Sequence, residues 1–285
     1  MQLLLNSLIA AGVYALIAIG FNLIYGATKF FNLAHGTVAV IGGYLVLLFG
    51  KWFGWPLWAA IPAAIVGAAC IGWATERCIF LPLRNRRASS MILLVASLGV
   101  FTALESIIAM VFSSDFQTLS ELTGEVKTIT LGGAVITATQ LIMVISAVVI
   151  MLVLGAVLKF TMFGKAIKAV SDDEEVSKIV GINTKKIIAW VFVIGSAIAG
   201  WAGILVGFDT GLQPTVGLDL LLKGVIAAII GGIGSVSGGV LGALLLGLIE
   251  NFGIWKISSE WKDAIAFAVL ILFLIFRPNG IMRRK

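Results

Sequence analysis

Long apolar runs separated by short polar or glycine-rich breaks organise the chain: residues 3–25, 34–49, 57–75, 91–112, 140–158, 187–208, 220–249 and 264–276. Most of these lengths lie near the ~20 residues a helix needs to cross hydrocarbon. None shows the strict apolar–polar alternation of a half-buried strand. An open sheet would also leave its backbone unsatisfied in lipid, so the pattern predicts helices. The expected fold class is an all-α integral membrane protein with about eight hydrophobic segments, forming one transmembrane domain over residues 1–285. The first run is not read as a cleaved leader, because it lacks a basic start and a small-residue cleavage site and runs too long.

Composition agrees with that pattern. Hydrophobic residues make up 60% and charged residues 12%, with a mean hydropathy of +1.10. A soluble domain carries about 25% charged residues and could not hide this much apolar surface in one core.

The charges that remain are grouped. Arg77, Arg84, Arg86 and Arg87 follow the third run. Lys159, Lys165, Lys168, Lys178, Lys185 and Lys186 lie between the fifth and sixth, and Arg277, Arg283, Arg284 and Lys285 come after the eighth. These clusters hold four, six and four of the chain's 20 basic residues, so all three are expected in the cytoplasm. The stretch 113–139, with Asp115, Glu121, Glu125 and Lys127, then falls outside, and its pattern over 126–137 suggests a small β-hairpin.

This orientation forces the seventh run to begin and end on the outer side. The run is about 30 residues long, short for two full spans. It is broken at Gly231-Gly232-Ile233-Gly234-Ser235-Val236-Ser237-Gly238-Gly239. A re-entrant or bent helix pair is expected there. A second break is expected at Phe31-Asn32-Leu33-Ala34-His35-Gly36. Such interruptions are tolerated at membrane depth where they are buried in protein or line a cavity, and paired breaks point to a substrate site. Asn32, His35, Gly36, Gly231, Gly232, Gly234 and Ser235 are therefore candidate pathway residues, facing each other across the route. Simple small-residue packing between helices is the alternative for several of these glycines, and it accounts for Gly203 and Gly207.

Glu105, inside the fourth run, is a further pathway candidate because an ionisable group there is costly without a use or a partner. Lys223 and Glu250 bracket the seventh run and fit snorkelling side chains. His35 is the chain's one histidine, which excludes a multi-histidine metal site. Cys70 and Cys78 fall about 12 Å apart on one helix, beyond disulfide reach. Trp52, Trp55, Trp58, Trp255 and Trp261 read as interfacial anchors.

The polar loop 160–186 contains Ser171-Asp172-Asp173-Glu174, a capping-box pattern with Ser171 at the N-cap and Glu174 at N3. Asp172, Glu174 and Glu175 suit a first turn, and Gly181 suits the stop. Val176, Ile179 and Val180 then share one face of a short amphipathic helix that needs a surface to dock on, whether this chain's own or a partner's.

Several segments together resemble one family. They are Ala15-Leu16-Ile17-Ala18-Ile19-Gly20, Asn32-Leu33-Ala34-His35-Gly36, Glu76-Arg77 with Pro82-Leu83-Arg84, and Gly164-Lys165-Ala166 through Gly181-Ile182-Asn183. Gly231-Gly232-Ile233-Gly234-Ser235, Glu250 and Arg277-Pro278-Asn279-Gly280 follow in order. In this spacing the chain resembles, over nearly its whole length, the LivH-like permeases of branched-chain amino acid ABC importers. The resemblance implies a multi-pass permease of a bacterial or archaeal plasma (inner) membrane. It implies as partners a second related permease, two cytoplasmic ATPase subunits and an extracytoplasmic solute-binding protein. It also implies that the loop carrying Gly164, Lys165, Ser171, Asp172, Glu174, Glu175, Val176, Ile179, Gly181 and Ile182 couples to an ATPase. Two departures stand out: Lys165 where the family commonly has Arg, and Glu105 where an amide is common.

Branched-chain amino acids are the expected cargo, with urea, short amides and other amino acids carried by related systems. An ion-coupled secondary transporter using Glu105 would explain the breaks but not the polar loop. An intramembrane serine protease is excluded: Ser235-Val236-Ser237-Gly238 lacks the leading glycine of such a motif, and the sole histidine precedes it. The sequence has no Gly-Xaa4-Gly-Lys-Ser/Thr loop, so ATP hydrolysis is expected in partner subunits rather than here. Neither a cofactor nor a nucleic-acid partner is expected.

Overall fold

The computed structural model describes residues 1–122, 128–131, 134–255 and 258–282. They are helical apart from short connections and one hairpin, β1 (Thr128–Leu131) and β2 (Ala134–Thr137), paired antiparallel with Ile129 opposite Ile136. The hairpin expected over 126–137 is therefore present, although Val126, Lys127, Gly132 and Gly133 lie outside the described residues. So do Glu125, Arg283, Arg284 and Lys285, on which part of the charge argument rests.

In chain order the helices are α1 (Gln2–Thr28), α2 (Ala34–Leu47), α3 (Leu57–Thr75), α4 (Leu81–Asn85), α5 (Ser90–Phe112) and α6 (Ala138–Phe160). They continue with α7 (Met162–Asp172), α8 (Glu174–Ile179), α9 (Thr184–Asp209), α10 (Val216–Gly231), α11 (Val236–Gly253) and α12 (Lys262–Phe276). π-Turns extend α2 to Trp52 and join α3 to α4. Among the described residues, seven helices are long and apolar enough to cross a membrane: α1, α2 with its extension, α3–α4, α5, α6, α9 and α11. α10 and α12 are shorter, at 16 and 15 residues.

Side-chain contacts fix two opposite faces. At the start of α1, the Gln2 amide exchanges two hydrogen bonds with the backbone of Val135 in β2, at 2.9 and 3.1 Å. Near its other end, the Gly26 carbonyl accepts the Ser171 hydroxyl of α7 at 2.5 Å. α1 thus runs from a hairpin face to a face formed by α7 and α8. α1 and α9 are buried along most of their length and form the core, flanked by α2, α10 and α11. α5 and α6 are peripheral and turn large apolar side chains outward, among them Val95, Met110, Val149 and Leu152.

The seventh run resolves as the expected pair. The residues just before α10 bond to the hairpin-face segment, Leu212 pairing with Gln117. Asn251 of α11 returns to line a cavity together with Asn6 and Gln140 at the same face. Between them the chain turns at residues 232–235, where Gly232 (φ 111°) and Gly234 (φ 83°) adopt conformations that L side chains rarely tolerate. By helical rise the limbs measure about 24 and 27 Å, so each reaches most of the way across the hydrocarbon. α12 follows, and the segment after it comes back to the turn: Ile281 N–H donates to the Ile230 carbonyl at 2.9 Å and Met282 N–H to that of Gly231 at 3.0 Å. These bonds satisfy carbonyls at the end of α10 that have no partner within the helix.

Candidate functional site

The first break separates α1 from α2. Lys29 ends α1 in the left-handed conformation, and the chain doubles back through residues 30–33. Ser97, seven residues into α5 and so about 10 Å from its start, holds this loop. Its hydroxyl accepts the Leu33 N–H at 3.1 Å and stands 3.1 Å from the Phe31 carbonyl oxygen. Asn32, His35 and Thr37 are all buried here. Among the described residues, Asn32 Oδ1 and Thr37 Oγ1 have no hydrogen-bond partner, and neither ring nitrogen of His35 makes a bond of ordinary geometry. Gly36 faces Gly217 and Leu221 of α10 so closely that a methyl group would collide with the Gly217 carbonyl. Packing by close helix approach also explains Gly203, which lies against the Ala39 carbonyl.

The second break is tied to α1. Asn22, buried, donates through Nδ2 to the Ser235 carbonyl at 2.9 Å and accepts the Gly234 N–H at 2.8 Å. The Ser235 hydroxyl caps α11 by accepting the Gly238 N–H at 3.1 Å. A cavity of about 580 Å³ opens beside this turn, lined by Asn22, Gly26, Lys168, Ser171 and Met282 among others. The two breaks do not form one constellation. Gly36 sits at the start of α10 and Gly231 at its end, about 21 Å apart along that helix.

Glu105 occupies the outward face of α5 together with Thr102, Ser106 and Ala109. With Pro214 and Thr215 these residues line a recess of about 300 Å³. A carboxylate and two hydroxyls on an outward face of a spanning helix are poorly suited to hydrocarbon.

Lys223 and Glu250 do not snorkel. Glu250 is fully buried, and its Oε1 lies 2.6 Å from Lys223 Nζ. Tyr14 donates to Oε2 at 2.7 Å, and Lys262 Nζ lies 3.7 Å from the same oxygen. Lys223 also reaches Asp263 at 2.6 Å. This network pins α1, α10, α11 and α12 together. A second ion pair, Glu76 with Arg84, joins the end of α3 to α4.

The capping pattern of the polar loop needs a correction. α7 runs on through Asp172, so Ser171 lies inside its last turn, buried against α1. The N-cap of α8 is Asp173, whose Oδ1 accepts the N–H groups of Glu175 and Val176 at 2.8 and 3.0 Å. Gly181 (φ 89°) ends the helix, donating to Lys178 O, while Ile182 N–H closes on Ser177 O. Gly164, in the first turn of α7, packs against Val157 and Leu158 at the end of α6, and Lys165 on the same helix is exposed. Val176, Ile179 and Val180 are 54%, 83% and 67% exposed, so this apolar face is not covered by the described residues.

Three residues escaped the sequence argument: Ser97, Asn22 and Tyr14. Asn22 carried a usable signal, an amide inside an otherwise apolar spanning run. Ser97 and Tyr14 are common in such helices and carried none.

Comparison with known proteins gives the family. The family described as "Branched-chain amino acid transport system / permease component" matches residues 3–274. The high-affinity branched-chain amino acid transport system permease protein LivH of Escherichia coli (strain K12) is 34% identical over 100% of this chain and 96% of its own length. BraD, the corresponding permease protein of Pseudomonas aeruginosa, shows the same identity and coverage. A probable LivH of Methanocaldococcus jannaschii is 28% identical over 98% of this chain and 91% of its own. A chain in the solved structure of PsaBC from Streptococcus pneumoniae in complex with Fab shares the fold, with a TM-score of 0.53 at 14% identity, covering 98% of this chain and 93% of that one. The re-entrant α10–α11 pair, the two breaks and the full-length likeness to these permease proteins lead to one conclusion: the chain belongs to the permease-component family of branched-chain amino acid transport systems.

Proposed function

We propose that this chain forms half of the translocation pathway of an ATP-driven importer of branched-chain amino acids, with the pathway running along the outward face of α5. The observation that carries the pathway assignment is the Thr102–Glu105–Ser106 face, a polar stripe that a spanning helix retains at least cost when it meets water or a partner rather than lipid. A second permease, the same chain or a relative, faces it across the route. The likeness to LivH and BraD over the full length supports the cargo.

The face bearing Arg77, Arg86, Arg87 and the lysines of α7 is cytoplasmic by the positive-inside rule. The hairpin face is then extracytoplasmic and receives the binding protein on residues 113–139 and 209–219. Two ATPase subunits lie below, one holding α8 through Val176, Ile179 and Val180. Their closure displaces α7 and α8, and Ser171 passes that motion to Gly26 of α1 and so to both breaks. The buried Asn32 Oδ1 and Thr37 Oγ1, which have no partner among the described residues, support the first break as an element with a second arrangement, because an unsatisfied buried polar atom costs about 1–3 kcal/mol in the state that leaves it so.

The test is reconstitution with the second permease, the ATPases and the binding protein in proteoliposomes, followed by ATP-dependent leucine uptake. Glu105→Ala is expected to cut uptake by about tenfold or more while the complex still assembles. Unchanged uptake would remove α5 from the pathway. Uptake of urea or short amides instead of leucine would move the cargo to a related class. Uptake by the permease without ATPases, driven by an ion gradient, would favour a secondary transporter, a mechanism that leaves the bare face of α8 without a purpose.

A further inference from the structure

A second cavity, of about 410 Å³, opens at the hairpin face between α1, α6, α9 and α10. Its size falls within the ~300–1,000 Å³ usual for small-molecule sites. It lies within a single chain and shares no lining residue with the α5 recess. Part of its wall is apolar, since Ile9, Val13, Met143, Val206 and Leu220 all line it and are all buried, while Asn6, Thr210 and Asn251 line it elsewhere. Its charged lining residues among the described ones are two of opposite sign, Asp209 and Lys262.

Both charges are available to a guest. Asp209 accepts Gln140 Nε2 at 3.0 Å on Oδ1, which fixes the carboxylate and leaves Oδ2 without a partner among the described residues. Lys262 is the most loosely bound member of the Glu250 network, at 3.7 Å. Glu250 is already satisfied by Lys223 at 2.6 Å and Tyr14 at 2.7 Å, so Lys262 can turn away without stranding the buried carboxylate. A ligand matching this cavity has an ammonium for Asp209, a carboxylate for Lys262 and an apolar side chain for the walls between α1 and α9. A free cation, a sugar or a fatty acid matches only part of the set.

We propose that this cavity is a binding site for one zwitterionic, apolar α-amino acid in each permease chain, distinct from the α5 pathway and open to the face where cargo arrives. The assignment deepens the branched-chain amino acid function proposed above and rests on it for the cargo. It makes the permease itself selective, adding a test of the amino acid's two charges to whatever the binding protein has chosen.

The experiment uses the assembled permease–ATPase complex in lipid nanodiscs without binding protein, with radiolabelled leucine for affinity and a diazirine leucine analogue for mapping. Saturable leucine binding is expected, with crosslinks in α1, α6 and α9. Asp209→Asn and Lys262→Gln are each expected to weaken binding about tenfold or more, as loss of a charge-assisted contact does. On the unaltered complex, 4-methylpentanoate and isopentylamine, which each lack one of the two charges, should fail to compete. Crosslinks confined to α5, equal competition by either analogue, or no saturable binding would overturn the site. ATP-driven leucine uptake with the binding protein, measured in parallel, separates the two claims. Uptake without cavity labelling sinks only the site, whereas absent leucine uptake sinks the function on which it rests.

Discussion

Asn22 of α1 and Gly234 of the glycine turn are joined at 2.8 Å, the side-chain carbonyl of one accepting the backbone N–H of the other. Because the same amide also donates to the Ser235 carbonyl, one side chain ties α1 to two backbone groups of the turn between α10 and α11. Asn22→Ala strands the half-buried Gly234 N–H, at about 1–3 kcal/mol, whereas the Ser235 carbonyl keeps the Gly239 N–H at 2.9 Å. Thermal unfolding of the detergent-solubilised protein should show a clear fall in Tm. Asn22→Asp keeps the acceptor for Gly234 and loses the donor to Ser235, and is expected to rank below the wild type as well. An unchanged Tm for the alanine variant would show that the turn is held by the returning segment at 281–282 alone.

The Lys223–Glu250 pair should show the asymmetry of buried charges. Glu250→Gln leaves Lys223 with only the exposed Asp263, and Lys223→Met leaves the buried Glu250 carboxylate with only the more distant Lys262 as a cation, so each alone should cost stability, up to about 3–5 kcal/mol. The double variant Lys223→Met/Glu250→Gln removes both and should recover much of the loss, since Asp263, at 72% exposed, can be left to solvent. A double-mutant cycle on unfolding midpoints measures the coupling. Additive losses would mean that the two residues act separately.

Glycine positions should divide by what surrounds them. Gly36→Ala drives a methyl into the Gly217 carbonyl and the Leu221 side chain, so the α2–α10 contact must open and the folded yield should fall. Gly155 of α6 has open space where its Cβ would stand. Gly155→Ala should be neutral or stabilising by up to about 1 kcal/mol, through helix propensity. Size-exclusion profiles of the two variants side by side settle the matter.

On α8, Ile179→Asp changes a side chain that is 83% exposed and should leave the permease fold unchanged within about 0.5 kcal/mol. Capture of the ATPase subunits by the tagged permease should drop sharply, and transport with it. Charge reversal at Glu174 and Glu175, or Gly181→Pro at the helix stop, should act in the same direction. Full capture by the Ile179 variant would place the docking surface elsewhere.

Helices and their breaks were readable because lipid imposes a length on the first and burial on the second. Glycines at 231, 232 and 234 marked the turn, and an excess of basic residues fixed which ends lie together. What the pattern could not supply was contact over distance. Ser171 looked like a cap from its neighbours three residues on, yet its hydroxyl is engaged by Gly26, 145 positions away, and Asp173 takes the capping role. Lys223 and Glu250 looked like two surface charges because each stands near the end of an apolar run, and only the packing of α10 on α11 makes them a pair. Asn32 and His35 were legible as unusual residues at a break. Their burial was not, since it depends on neighbouring helices closing over them.

The bonds from Ile281 and Met282 to the end of α10 also set an order of assembly. The turn at 232–235 is translated before α11 and α12, but the backbone groups that close it come from beyond both. A chain being inserted must therefore hold the α10–α11 limbs in place with the Ile230 and Gly231 carbonyls still open until α12 and the residues after it are in place. During that interval the element depends on Asn22 and on whatever chaperones it within the translocation machinery. Ribosomes stalled before residue 281 would expose this half-finished state to cleavage at the glycines, and chains released beyond it would not.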